Sequence, residues 1–355
     1  MSAASAPTVG RTVDWDFAAT VARKLVRPTP PVTEYTRRQA IEQLSEAARR
    51  SEGPVREVTG LVEGATITEA RIVDRREWVT AASQSMRVMT GGDGGESSGF
   101  LTRRITGAQT GAVLAFVSSG ILGQYDPFAT TGDQEQNRGE LLLVYPNVIA
   151  VERTLRVQPA DFRLWVCLHE VTHRVQFRAN PWLADHMSQA LAVLTDDATQ
   201  DAGAVVGRLS EFVRDRRNGV EAEPNAEGIL GLMRAIQSEP QRAALDQLLV
   251  LGTLLEGHAD HVMDAVGPAV VPTVATIRRR FNDRRQRKQP PLQRVVRALL
   301  GFDAKMSQYT RGKAFVDDVV SKVGMERFNV VWTGPETLPL PAEVDEPQRW
   351  IDRVL

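Results

Sequence analysis

Residues 169–173 read His-Glu-Val-Thr-His. On an α-helix, side chains four positions apart leave from one face, so His169 and His173 can reach the same metal ion. Glu170 falls near that face, where it can take a proton from a water at the metal's open position. The chain holds five histidines in 355 residues. At that frequency a chance His-Glu-x-x-His is expected in roughly one per cent of such chains or fewer. Leu164, Trp165, Leu168, Val171, Val175 and Phe177 surround the motif, so the helix is expected to be buried. Buried imidazole and carboxylate groups need partners, and a metal supplies one. Two surface histidines on a solvated helix would fit this apolar setting poorly.

A catalytic zinc takes three protein ligands and one water. The segment Leu254-Leu-Glu-Gly-His-Ala-Asp-His-Val-Met-Asp264 offers Glu256, His258 and His261 for the third place. Glu256 and Asp260 share a helix face. Glu256 can then bind the metal while Asp260 accepts a hydrogen bond from the distal N–H of a liganding histidine. His258 points roughly 200° away from Glu256 on a helix of 3.6 residues per turn, so one regular helix cannot supply both. Glu256 is favoured, with His258 and His261 as alternatives. His186 follows Pro181-Trp182 and reads as an ordinary polar residue of the next helix. Cys167, two residues before His169, faces away from both histidines and reads as packing.

This arrangement resembles the gluzincin branch of the zincin metallopeptidases. There His-Glu-x-x-His on one helix is completed by the glutamate of Glu-x-x-x-Asp on a later one, and Glu256-Gly-His-Ala-Asp260 matches the second motif. The whole chain is also similar to an actinobacterial zincin-like family described as zinc-dependent metalloproteases, or as hydrolases associated with coenzyme F420 biosynthesis. That likeness includes Glu256-Gly-His-Ala-Asp-His261, Gln308-Tyr-Thr-Arg-Gly312 and Val331-Trp-Thr-Gly-Pro335. The resemblance implies a Zn2+ cofactor and hydrolysis of a peptide or amide bond by a zinc-activated water, with Glu170 as the base. It also implies an oxyanion donor after the third ligand. Tyr309 is best placed for that role in the sequence, and Tyr145 is the runner-up. Arg311 is available to a substrate carboxylate. Two other outcomes stand beside a peptidase: a zinc hydrolase of a small cofactor precursor, and a zincin-like protein that binds without turnover. The intact Glu170 favours an enzyme.

The elements that must position these residues read as mainly α-helical (α+β), a zincin-like fold with a small β-sheet. Helices are expected over Asp14–Leu25, from a Thr33 cap to about Arg50, and over Ile67–Met89. The stretch Ile105–Tyr125 carries no charge but is too polar for a membrane span. It reads as a buried helix, Ala108–Leu122, whose small residues allow close packing. Gly139–Asn147 is the clearest strand, with Val148–Val151 as an extension, and Pro146 confines it to an edge or a strand end. As an edge it would pair with an extended substrate, and an ordinary core strand is the equal alternative. The metal helix is expected from about Pro159. Helical spacing follows over Leu183–Leu194, Asp201–Arg216, Glu227–Gln237 and Pro240–Val266, with Pro268 and Pro272 interrupting. The organisation expected is an N-terminal helical region (1–100) on a catalytic domain (101–330), then an extended tail (331–355) with a short helix at Pro347–Val354.

Bulk properties bound the partners. A net charge of −1 gives no case for nucleic acid or a membrane surface. The basic run Arg278–Lys288 reads as a solvated helix and loop. Gly91–Gly99 is a loop, since no strand precedes it and no Lys-Ser/Thr follows. A single cysteine excludes an internal disulfide framework and suits a reducing cytosol. Met1–Pro7 lacks a basic region followed by an apolar one, so no signal peptide is expected.

Overall fold

A computed structural model describes residues 9–61, 68–92, 99–130, 138–194, 238–286 and 302–355, with backbone alone at 9, 130, 138, 285, 286 and 302–310. Helix α1 (Trp15–Leu25) starts at Asp14, whose carboxylate accepts from Phe17 N at 2.9 Å. Helix α2 (Glu34–Thr59) starts at Thr33 and runs past Arg50 through Pro54, ending on left-handed Gly60. The expected helix over 67–89 is divided. Residues Arg71–Val73 form strand β1, and helix α3 covers Arg75–Met89. The boundary is a capping box: Asp74 accepts from Arg76 N and Glu77 N, and Glu77 accepts from Asp74 N.

Helix α4 (Phe100–Val117) begins and ends earlier than expected. The Ser118 and Ser119 hydroxyls donate to the carbonyls of Ala115 and Phe116, closing a turn before strand β2 (Gly123–Thr130). Strand β3 (Arg138–Val144) follows and stops at Val144, because Pro146 enters the first turn of helix α5 (Tyr145–Leu155). Val148–Val151 are therefore helical. The sheet order is β1-β3-β2. β3 pairs parallel with β1 at Ile72–Leu143 and antiparallel with β2 at Tyr125–Leu141. β3 is thus the central strand rather than an edge, with β1 on one side at Leu142–Val144 and β2 on the other. β2 has the outer position.

Helix α6 (Pro159–Ala179) carries the motif. Its start is anchored by Asp161, which accepts from Thr273 N at 3.0 Å and Thr273 Oγ1 at 2.6 Å. Helix α7 (Trp182–Leu194) follows. Helix α8 (Glu239–Val270) kinks where Gly267 takes φ 67° before Pro268. Then come α9 (Val274–Gln286), α10 (Phe302–Phe328), α11 (Pro341–Asp345) and α12 (Pro347–Val354). The helices expected over 201–216 and 227–237 lie outside the described residues. Among the described residues, no helix is long and apolar enough to cross a membrane.

Among the described residues, three apolar clusters form the interior. The largest joins α2, the inner face of the sheet and α6 through Leu44, Val55, Leu141, Phe162, Leu168 and Val175. A second joins α8 and α10 to the C-terminal segment through Leu251, Phe315, Phe328, Trp332 and Trp350. A third holds α1, α3 and α4 to the other face of β3. α2 is therefore built into the same core as the motif helix. Two ion pairs reinforce α6. Arg163 bonds both oxygens of Glu152 at 3.0 and 2.7 Å, and also Gln43 at 2.6 Å. Arg174 pairs with Glu52 on α2.

α8 and α10 cross with backbone on backbone. A Cβ placed on Gly257 would lie 2.1 Å from the carbonyl carbon of Gly312, and one on Gly312 would lie 2.0 Å from the Thr253 oxygen. No side chain fits either place without parting the helices.

Two outcomes test this architecture. Glu152→Ala leaves the Arg163 guanidinium buried with its charge uncompensated, and urea denaturation is expected to show a loss of about 3–5 kcal/mol. A stability equal to wild type would show that the pair does not hold α6. Gly312→Ala is expected to cost about 1–3 kcal/mol by overpacking the crossing and, because Glu256 adjoins Gly257, to weaken zinc binding as well. Unchanged zinc affinity in a destabilised Gly312→Ala protein would separate the crossing from the site.

Candidate metal centre

His169 and His173 leave α6 on its cleft-facing side and meet Glu256 from α8. The three ligand atoms all lie within 4.8 Å of one another. His169 Nε2 is 3.2 Å from His173 Nε2, and Glu256 Oε2 lies 3.2 and 3.7 Å from these two nitrogens. A tetrahedral zinc with bonds of about 2.0–2.1 Å requires ligand atoms about 3.3–3.4 Å apart. The triangle already has that size. Glu256 Oε2 is buried and has no aligned hydrogen-bond donor. Two imidazoles and a carboxylate oxygen thus converge on one point, a donor set that fits a divalent metal of the zinc type.

The local charges agree. Burial works against a charged His169, but the neighbouring Glu256 and the charges of Glu170 and Asp260 outweigh it and lift His169 to about 9. Burial alone would raise the Glu256 carboxyl, yet His169 and His173 hold it well below the usual carboxylate range. Both shifts mark a site whose surroundings favour positive charge, as a metal ion would supply.

Glu170 is 8 % exposed. It faces the same cleft as the three ligands. It stands against the start of β2, where a Cβ on Gly123 would come within 2.6 Å of Glu170 Cγ. The absence of a side chain at Gly123 is what lets the edge strand lie on the carboxylate. The cleft has a volume of about 980 Å³ and is walled by α3, α4, β2, α6 and α8. Its lining is mostly apolar, with Met86, Val113, Leu114, Phe128 and Met263 among the contributors.

The other sequence candidates are distributed as follows. Asp260 lies in the cleft, where its partner is Arg278, with Nη1 at 3.5 Å from Oδ1. The atom facing His169 Nδ1 is Met263 Sδ, at 3.3 Å. His258 is fully buried on the far side of α8, stacked on Phe328, and burial lowers its pKa to about 3. His261 Nδ1 donates to Asp317 Oδ1, 2.7 Å away. His258 and His261 are thus committed elsewhere, and Glu256 alone of the three proposed third ligands joins the histidine pair. His186 packs edge-on against Trp182.

Tyr145 sits at the start of α5 with the Arg37 guanidinium over its ring, so α2 rather than the cleft claims it. Arg311 forms a paired contact with Asp345 of α11, away from the cleft. Tyr309 falls on α10, but its side chain is outside the described residues. The basic run is partly internal: Arg278 pairs with Asp260 and Asp264, and Arg280 donates to the Leu155 carbonyl. Cys167 is buried with Sγ facing the Leu44 carbonyl on α2, as its helix position implied.

Gln176 escaped the sequence reading. It is completely buried. Its Oε1 lies 2.9 Å from His173 Nδ1, and its Nε2 lies 3.0 Å from the Leu255 carbonyl oxygen and 2.9 Å from His258 Nδ1. The available signal was spacing, since a residue three positions after a ligand shares its helix face.

No curated protein matches the sequence. A solved structure from Chloroflexus aurantiacus, described as "a putative hydrolase with a novel fold", is similar over 96% of this chain and 98% of its own, with 27% identity and a TM-score of 0.67. The model of the zincin-like metallopeptidase family matches residues 13–351. That span takes in both helices of the triangle and the C-terminal segment packed behind them, and the chain belongs to the zincin-like metallopeptidase family.

Proposed function

We propose that the chain is a zinc metallopeptidase cleaving peptide or amide bonds. The observation that carries this reading is the triangle of His169, His173 and Glu256, with Glu170 beside it at the head of a cleft edged by β2. A zinc ion held by those three side chains supplies a Lewis acid and a water acidic enough to lose a proton near neutral pH. The Glu170 carboxylate takes that proton as the water oxygen bonds to the carbonyl carbon. It then delivers the proton to nitrogen as the C–N bond breaks, leaving a carboxylate and an amine. β2 offers main-chain groups along which an extended substrate can add as a further strand. α10 crosses α8 at Gly312, one turn after Tyr309 and beside Glu256, which supports Tyr309 as the group that steadies the oxyanion. One buried thiol and no disulfide among the described residues suit a reducing compartment, so this reading places the reaction in the cytoplasm.

A second reading has its own support. A mostly apolar cleft of about 980 Å³ is at the upper end of the size that takes small ligands, about 300–1,000 Å³. It favours a small amide, such as a cofactor precursor of the F420-associated kind.

Purified protein is expected to carry about one zinc per chain by elemental analysis. Glu170→Gln should retain that zinc and lose at least about 10²-fold in cleavage rate on a quenched fluorescent peptide library. Absence of zinc, or full activity in Glu170→Gln, overturns the reading. Cleavage of small amides with none of peptides selects the second reading. Tyr309→Phe is expected to lower kcat by about 10²-fold with zinc content unchanged; wild-type kcat in that variant removes Tyr309 from the mechanism.

A further inference from the structure

The hydrogen bonds around Gln176 can be followed atom by atom. The Leu255 carbonyl oxygen only accepts, so the Gln176 atom 3.0 Å from it is the amide nitrogen. That settles which way the carboxamide points. Its oxygen must then be the atom 2.9 Å from His173 Nδ1, and an amide oxygen also only accepts. His173 therefore carries its hydrogen on Nδ1. A neutral imidazole has one such hydrogen, so Nε2 is left with its lone pair aimed at His169 and Glu256.

The same logic runs the other way. The second hydrogen of the Gln176 amide meets His258 Nδ1 at 2.9 Å, so His258 accepts there and carries its own hydrogen on Nε2. That Nε2 is buried without a hydrogen-bond partner, within an aromatic wall formed by Phe328 and Trp332 at ring-centroid distances of 5.6 and 5.3 Å. The arrangement leaves no flipped alternative. Turning the Gln176 amide over would place its oxygen against the Leu255 oxygen and its N–H against the His173 N–H.

We infer that Gln176 is a positioning residue that selects the metal-binding tautomer and ring orientation of His173, with its own orientation locked by His258 and the Leu255 carbonyl. His258, one of the three candidates for third ligand, thus serves the site from behind, through a carboxamide on the opposite helix. The inference rests on His169, His173 and Glu256 being the metal centre, but its first measurement needs no metal.

Nitrogen-15 correlation spectra of histidine-labelled, metal-free protein, recorded where the His173 ring is neutral, are expected to show a single Nδ1–H tautomer. In Gln176→Leu both tautomers should appear, and zinc affinity measured by chelator competition should fall about 10–100-fold. His258→Leu removes one lock on the amide and should give a partial mixture. An Nε2–H tautomer in the wild type overturns the inference. So does an unchanged tautomer in Gln176→Leu with zinc affinity within twofold of wild type. If Gln176→Leu does not fold, the wild-type tautomer and His258→Leu decide. A wild type that shows the Nδ1–H tautomer but binds no zinc would sink the metal centre and leave the positioning contact standing.

Discussion

The structure depends on one demanding arrangement: two imidazole nitrogens and a carboxylate oxygen from two helices, held 3.2–3.7 Å apart. Burial strips water from these polar groups, so each needs a partner within the protein or a bound cation. Something rigid must hold them. α6 is fixed near its start by the Arg163–Glu152 pair and near its end by Arg174 on Glu52. α8 is fixed by the backbone contact at Gly257 and Gly312, which admits no side chain and so little sliding. The acidic groups around His169 add a field that favours positive charge. Packing and charge thus both prepare the pocket for a cation.

α6 and α8 also divide the interior. Behind α6 lies the core shared with α2 and the sheet. Behind α8 lies the core shared with α10 and the C-terminal segment. Gln176 stands on the seam. Trp332 and Phe328, far from the motif in sequence, pack on His258, which in turn holds the carboxamide that faces His173. A segment that reads in the sequence as a tail therefore reaches the metal site through three side chains. Trp182 strengthens the same link by donating to the Trp332 carbonyl at 2.8 Å.

What could be read from sequence was what depends on one helix. His169, Glu170 and His173 follow from helical spacing within five residues, and Glu256 from its register against Asp260 and His258. The strands depend on partners distant in the chain. β2 begins in an uncharged run that looks continuous with α4, shows little alternation and contains Pro127, so nothing local marks it as the edge. β3 was legible as a strand but not as the central one, because that needs β1, only three residues long, to lie on its other side. The start of α3 was legible after all: Asp74 and Glu77 have capping-box spacing, and the apolar pattern upstream obscured it. Asp260 shows the limit of register arguments. It reaches the cleft, but Arg278 from the basic run is the partner it finds there.

The chemical choice at position 176 follows from the charges already present. Glu170, Glu256 and Asp260 all act on His169, and a fourth carboxylate behind His173 would deepen that field at a fully buried position. A carboxylate would also have nothing to donate, leaving the Leu255 carbonyl and His258 Nδ1 facing a third acceptor. A carboxamide meets both demands. Its oxygen orients the imidazole without adding charge, and its two N–H groups satisfy the acceptors on α8. The cost falls on His258 Nε2, whose hydrogen is left in the aromatic wall without a polar partner. A buried donor without an acceptor costs about 1–3 kcal/mol, which the protein carries on the side away from the cleft, where it does not disturb the triangle.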